Sequence, residues 1–391
     1  MDSLRSRCLQ HTISAFLLLC LLAANSAAAA KSDLVVQNEG PEARPDLIFA
    51  SDRPTAELHA LFTPELIRDL QQLKAGVALS TEDLSPERAS VVRELNTAGI
   101  PMIAWLALPK SEGYYINADN ASQTATFFAQ FDAWTHANGL HWEALGLDIE
   151  PTLSEYGALM GHKGGLLRLM LRRGFDSGRA QRARAAYNTL IKQMQDRGYY
   201  VQTYQLQFLA DERKAHTTLL ERLFGIVDVK GNEEVFMLYS SFNHDVGAGL
   251  IWQYGPDAQT VAVGSTASSG DPKVDAKYAP LNWDEFSRDL IVARHFSKTV
   301  GIYSLEGCVR QGFMPKLKTL DWNERIVIPA KSVGKAAGFR KFVFLVLWVG
   351  SHIVYIVVAV LLAIAWLVRF IVFRRRRKRA MRLQTAAPAL R

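Results

Sequence analysis

Cysteine is scarce in this chain: there are three, and two of them, Cys8 and Cys20, fall within the first 30 residues. If that segment is removed, Cys308 stands alone, and a single thiol excludes an internal disulfide framework. No Cys/His cluster has metal-site spacing, so no metal and no cofactor is expected. No glycine-rich phosphate turn follows the first candidate strand, which leaves a nucleotide-binding fold with little support. Internal repeats and low-complexity tracts are also lacking. A fold of this kind is held by its core, which suits a bacterial envelope protein better than a disulfide-rich secreted module. The sequon Asn120-Ala121-Ser122 would matter only in a eukaryotic lumen.

Two further absences lie near the end of the chain. Residues 342–368 carry no formal charge, and 374–391 carry no acidic residue but eight basic ones. The uncharged run reaches about 40 Å as a helix, ample for a bilayer core of about 30 Å. Trp348 and Trp366 lie toward its ends, and the block Arg374-Arg375-Arg376-Arg377-Lys378-Arg379 reads as a stop-transfer signal that stays in the cytosol. The formal charge of +7 therefore resides in this tail, and the rest of the chain is close to neutral. That disfavours nucleic acid as a partner and points to anionic lipid beside the tail.

The start reads as a secretory signal, with Arg5 and Arg7 before the apolar run 13–24 and an A-x-A site at Ala28-Ala29-Ala30. The expected organisation is a signal peptide at 1–30, a barrel domain at 31–329 and a juxtamembrane linker at 330–341. A transmembrane helix at 342–373 and a basic cytosolic tail at 374–391 complete it. A single-pass cell-membrane protein follows, its large domain on the extracytoplasmic side (periplasmic in a Gram-negative cell) and its C-terminus cytoplasmic.

Between the ends, short apolar runs alternate with longer amphipathic ones. Strands are expected at 46–51, 76–80, 101–108, 144–149, 199–208, 234–240, 260–264 and 299–305. Helical periodicity is clearest over 86–97, 123–137, 179–197 and 282–296, with breakers such as Asn138-Gly139 at the joins. Eight strands each followed by a helix-sized segment predict an α/β fold, a (β/α)₈ barrel of the TIM type. An insertion over 153–177, glycine-rich and then basic, follows the fourth strand. It reads as a lid, as a contact for an acidic partner, or as a decoration with solvated arginines.

The strongest local signal is Leu145-Gly146-Leu147-Asp148-Ile149-Glu150-Pro151. Alternate residues of a strand share a face, so Asp148 and Glu150 both look into the barrel mouth, with Gly146 beneath them. Crowded carboxylates raise one another's pKa, which keeps one protonated near neutrality to act as a general acid. The catalytic candidates are Glu150, Asp148, Tyr239 at the end of the sixth strand and Glu306 after the eighth. Trp105, Tyr204, Gln205, Gln207 and Tyr303 are candidate substrate-binding residues. Flat rings to stack on, with amides and carboxylates for hydroxyl groups, are what sugars require.

Gly146-Leu147-Asp148-Ile149-Glu150 together with Met237-Leu238-Tyr239 resembles a divergent chitinase-type barrel of glycoside hydrolase family 18. There the fourth strand ends in D-x-x-D-x-D-x-E and the sixth in M-x-Y-D. The resemblance implies Glu150 as general acid, Asp148 orienting a 2-acetamido group that acts as nucleophile, and Tyr239 steadying that group. Glu143, Gly146 and Ser240 stand where the pattern has aspartates, so the network below Asp148 departs from the family's. The expected function is a membrane-anchored glycosidase acting on an N-acetylated polysaccharide or oligosaccharide outside the membrane. The alternative is a non-catalytic carbohydrate-binding or scaffold barrel in an envelope polysaccharide system. A third, weaker class is assembly with other envelope proteins through Gly350-Ser351 and His352.

Overall fold

The computed structural model describes residues 32–38, 44–151, 173–174, 176–267 and 278–385, with side chains as far as residue 378. The expected signal segment and nearly all of the 153–177 insertion lie outside these residues. After a short strand β1 (Leu34–Val36), eight parallel strands follow: β2 (Asp46–Ser51), β3 (Gly76–Ser80), β4 (Met102–Leu106), β5 (Ala144–Asp148), β6 (Val201–Gln205), β7 (Glu233–Met237), β8 (Thr260–Gly264) and β9 (Thr299–Tyr303). They close into a barrel in which β9 pairs with β2, so the expected (β/α)₈ architecture is the observed one. A last strand, β10 (Ile326–Ile328), pairs antiparallel with β1, matching Leu34 with Ile328. These two three-residue strands are too short to show a period, and the sequence pattern did not predict them.

Each barrel strand alternates its faces. Leu47, Phe49, Val77, Leu79, Leu145, Leu147, Val261 and Val263 point outward into one large core shared with the helices. The inward positions are smaller, with Ala78, Ile103 and Ala144 packed together. Below them the barrel interior is polar: Gln202 Nε2 donates to Glu233 at 2.8 Å, and the Thr260 hydroxyl also donates to Glu233. Side chains thus fill the barrel interior, and the mouth lies at the carboxyl ends of the strands.

Local signals explain the helices. Pro86–Thr97 starts with Ser85 accepting the Arg88 N–H and a proline in its first turn. Trp283–Arg294 carries a full capping box between Asn282 and Glu285. Ala121–Asn138 ends where Gly139 adopts a φ of 60°.

The chain ends in one continuous helix, Ala330–Thr385. Among the described residues it is the one helix long and apolar enough to cross a membrane. The 330–341 segment, expected as a linker, forms the first turns of this helix and packs on Ala248–Tyr254. Ser332 Oγ donates to the Val246 carbonyl and accepts the Gly249 N–H at 3.2 Å. Arg340 Nε reaches Asp211 at 2.7 Å, its other nitrogens bond Gln253 O and Asp257, and the guanidinium lies 4.5 Å from the Tyr254 ring centroid. The contact continues into the uncharged segment: Leu347 is fully buried, and Gly350 lies against Leu219.

Candidate active site

The mouth is built by residues at the carboxyl ends of β4, β5, β7 and β9 and by the loops that follow. Asp148 is the last residue of β5, and the chain stays extended for one residue more because Ile149 bridges to Ile116. Glu150 then donates its N–H to the Ile116 carbonyl at 3.1 Å, which fixes the carboxyl group two residues above Asp148 on the same face. Asp148 is buried, and its Oδ1 has no hydrogen-bond partner among the described residues. Burial raises its pKa well above the usual carboxylate range. The Glu150 charge, a hydrogen bond to the Glu150 side chain and the Asp52 charge all push the same way. A pair that shares one proton is the result.

Beneath Asp148 lies a ring rather than another acid. A Cβ on Gly146 would stand 2.9 Å from Cε2 of Tyr204, so the glycine makes room for this ring. The Tyr204 hydroxyl turns downward and donates to Gln202 Oε1 at 3.0 Å. Tyr204 therefore supports Asp148 from below. Its hydroxyl does not face the mouth.

Aromatic rings wall the site. Tyr239 stacks on Tyr303 with centroids 5.8 Å apart, and Trp105 meets Tyr303 edge-on at 6.4 Å. Tyr114 packs against Trp105 at 6.2 Å and against Tyr115 at 5.0 Å. Burial pushes the Tyr239 phenol far up, helped by the charges of Asp148 and Glu150, so it is a hydrogen-bond donor at any ordinary pH. Tyr303 is likewise held neutral by burial and by the charges of Asp52 and Glu306, and its hydroxyl donates to Asp52 Oδ2 at 3.1 Å.

Asp52, Tyr114 and Tyr115 are site residues that strand periodicity did not reveal. All three sit on loops, where position is set by tertiary contacts. The Tyr115 loop is clamped by Asn120, whose Nδ2 donates to Tyr115 O at 2.8 Å while its Oδ1 accepts from Asn117 N–H and the Tyr187 hydroxyl, both at 2.9 Å. The sequon asparagine is thus buried and committed to this loop, which leaves no room for a glycan there. The one available signal was Gly113-Tyr114-Tyr115 in the loop after the third expected strand, adjacent rings at a barrel rim.

The remaining candidates divide. Glu306 lies in the first turn of Leu305–Arg310 with Oε2 unpartnered among the described residues and Oε1 3.8 Å from Arg53 Nε. Burial raises its pKa, and the charges acting on it are Asp52 and Arg53, whereas those on Asp148 are Glu150 and Asp52. Asp52 is thus the carboxylate the two positions share. Gln205 alternates with Tyr204 and points out of the barrel, its Nε2 donating to Val229 O at 2.6 Å. Gln207 stands half-buried just before the helix Phe208–Lys214. Ser240, where the family pattern has an acid, also turns outward and donates to the buried Asp289.

No protein-family profile matches the chain, and no curated protein matches it by sequence. Solved structures do match. The PgaB (BpsB) glycoside hydrolase domain from Bordetella bronchiseptica aligns over 71% of this chain and 99% of its own, at 12% identity and a TM-score of 0.40. The endo-β1,6-glucanase BT3312 aligns over 69% and 68%, at 13% identity and 0.39. An L-ribulose 3-epimerase aligns over 80% and 98%, at 10% identity and 0.38. Likeness at this level concerns the barrel and carries nothing about the site.

Proposed function

We infer that the mouth is the active site of a glycoside hydrolase that cleaves an N-acetylated glycan while held at a membrane. The observation that carries this reading is the Asp148–Glu150 pair, one carboxyl buried and hydrogen-bonded to the other, inside a wall of Trp105, Tyr114, Tyr115, Tyr239 and Tyr303. Glu150, the more exposed of the two, takes the proton that the pair shares and donates it to the glycosidic oxygen as the C1–O bond breaks, which leaves Asp148 ionised. The substrate's acetamido carbonyl oxygen closes onto C1 from the opposite face. Asp148 accepts the acetamido N–H, and the Tyr239 hydroxyl donates to the same group. Water then attacks C1, gives a proton to the Glu150 carboxylate and restores the acetamide. Glu306 is salt-bridged to Arg53, which suits a residue that shapes the rim better than a second reacting carboxylate.

A second reading, a glycan-binding barrel without turnover, draws on Gly146 and Ser240, which leave Asp148 above a tyrosine ring instead of a chain of acids. The full-length protein in detergent, assayed for new reducing ends on chitin oligomers, peptidoglycan and poly-N-acetylglucosamine, separates the two. Turnover that falls about 10²- to 10⁴-fold in Glu150→Gln supports hydrolysis. Sugar binding by the wild type with no turnover establishes the second reading instead.

The anchor follows the same logic. We place the barrel outside the membrane and the arginine block in the cytosol, on the strength of the basic flank.

A further inference from the structure

Outside the C-terminal helix, the most exposed large apolar side chain among the described residues is Phe242, at 58%. A scattered surface ring needs no explanation, but Phe242 is not isolated. Its centroid lies 6.2 Å from Tyr239 and 5.6 Å from Tyr278, and Tyr239 in turn stacks on Tyr303 inside the mouth. A file of rings thus leads outward from the reaction centre, and within it Phe242 shows most of its surface to water.

Its position is fixed before any ligand arrives. Phe242 ends the turn Ser240–Phe242 that follows β7. Ser240 bonds the buried Asp289, and Ser241 Oγ accepts the Ser265 N–H at 2.8 Å, so the turn is tied to a helix and to the next strand's loop. A preordered exposed ring loses little entropy when something packs on it. What packs on a flat ring beside a polar rim is a molecule with one apolar face and a polar edge, and a pyranose has both.

We propose that Phe242, with Tyr278 set edge-on beside it, is a sugar-stacking platform outside the reaction centre, which binds a unit of the glycan beyond those at Asp148 and Glu150. The substrate class is therefore an oligosaccharide or polymer gripped at two places, rather than a disaccharide. The proposal rests on the glycan reading above and adds the length of chain that the site holds.

The test uses full-length Glu150→Gln in detergent, so that nothing is cleaved during titration. Calorimetry follows β-1,4- and β-1,6-linked N-acetylglucosamine oligomers from two to six units. Affinity is expected to rise with length. Phe242→Ala should cost the longest oligomers about threefold to tenfold and the dimer less, with Phe242→Trp restoring the gain. If Phe242→Ala keeps the full gain with length, or weakens every oligomer equally, the platform is wrong while the glycan reading stands. If the parent binds neither series at any length, the N-acetylglycan reading falls, and this proposal with it.

Discussion

At the scale of single residues, burial, Glu150 and Asp52 all favour the protonated form of Asp148. The sign of the stability effect follows. The folded pKa is raised above the unfolded value of 3.8, so between those two values the native state holds more protons than the unfolded chain. Stability contributed at this position is therefore full below pH 3.8 and is lost as pH rises through the folded pKa. Asp148→Asn keeps the shape and removes the titration. Its Tm should exceed the wild type's by roughly 2–6 °C at pH 7, with the gap closing near pH 4. A gap that stays constant across pH would show that Asp148 carries no such cost.

Gly146→Ala tests the layer beneath. The added methyl meets a tyrosine ring anchored by Gln202, and overpacking of this kind costs about 1–3 kcal/mol. Denaturant unfolding should show that loss, and Tyr204→Phe should not relieve it because the clash is with the ring. The carboxylate pair was legible because alternation alone places 148 and 150 on one face. The same rule separates two neighbouring candidates: Tyr204 faces inward, so Gln205 faces out of the barrel, where it bonds Val229 O.

At the scale of elements, all eight barrel strands were legible, since buried parallel strands read as short apolar runs between breakers. The end of the chain was less so. A run without charge says that a helix can enter a bilayer, but it does not say where the protein stops covering it. Residues 342–350 are flanked by the barrel, with Leu347 buried, and the helix is almost entirely bare from Ser351 onward. We propose that the span begins near Ser351. The stretch 351–373 still reaches about 34 Å, enough for the hydrocarbon core.

Cysteine labelling in nanodiscs checks this boundary. Phe344→Cys should react with a water-soluble maleimide, whereas Val358→Cys should not. Cys308 gives no background, because it is fully buried and its thiol is pushed up to about 12. Cys8 and Cys20 would be replaced by serine. Equal protection at both positions would return the boundary to 342. Arg340 supplies a second check on the same element. Asp211 is almost completely buried, so Arg340→Ala strands its charge and should cost about 2–4 kcal/mol. Trypsin should then cut the stem near Lys335, a site the docked helix protects. Lysine at 340 should rescue little, since one ammonium cannot span Asp211, Asp257 and Gln253 O together.

At the scale of the whole molecule, the docked stem gives the long apolar helix a direction relative to the mouth. Ala248–Tyr254 follows the carboxyl end of β7 and leads toward the start of β8, so it runs from the mouth side of the barrel to the base. The stem runs beside it in the same sense: Ser332 meets Gly249 at its start, and Arg340 meets Gln253 and Asp257 at its end. We propose that the span leaves from the base, so that a barrel mounted this way holds Asp148 and Glu150 away from the bilayer. A site so placed suits polymer passing outside the membrane better than glycan still seated on a lipid headgroup. Fluorescent labels separate the two geometries. In proteoliposomes carrying acceptor-labelled lipid, a donor at Lys214→Cys on the base should be quenched strongly. The same donor at Phe242→Cys on the rim should be quenched much less. Equal quenching, or the reverse order, would mean that the barrel lies on its side or faces the membrane, and the preference for free polymer would have to be given up.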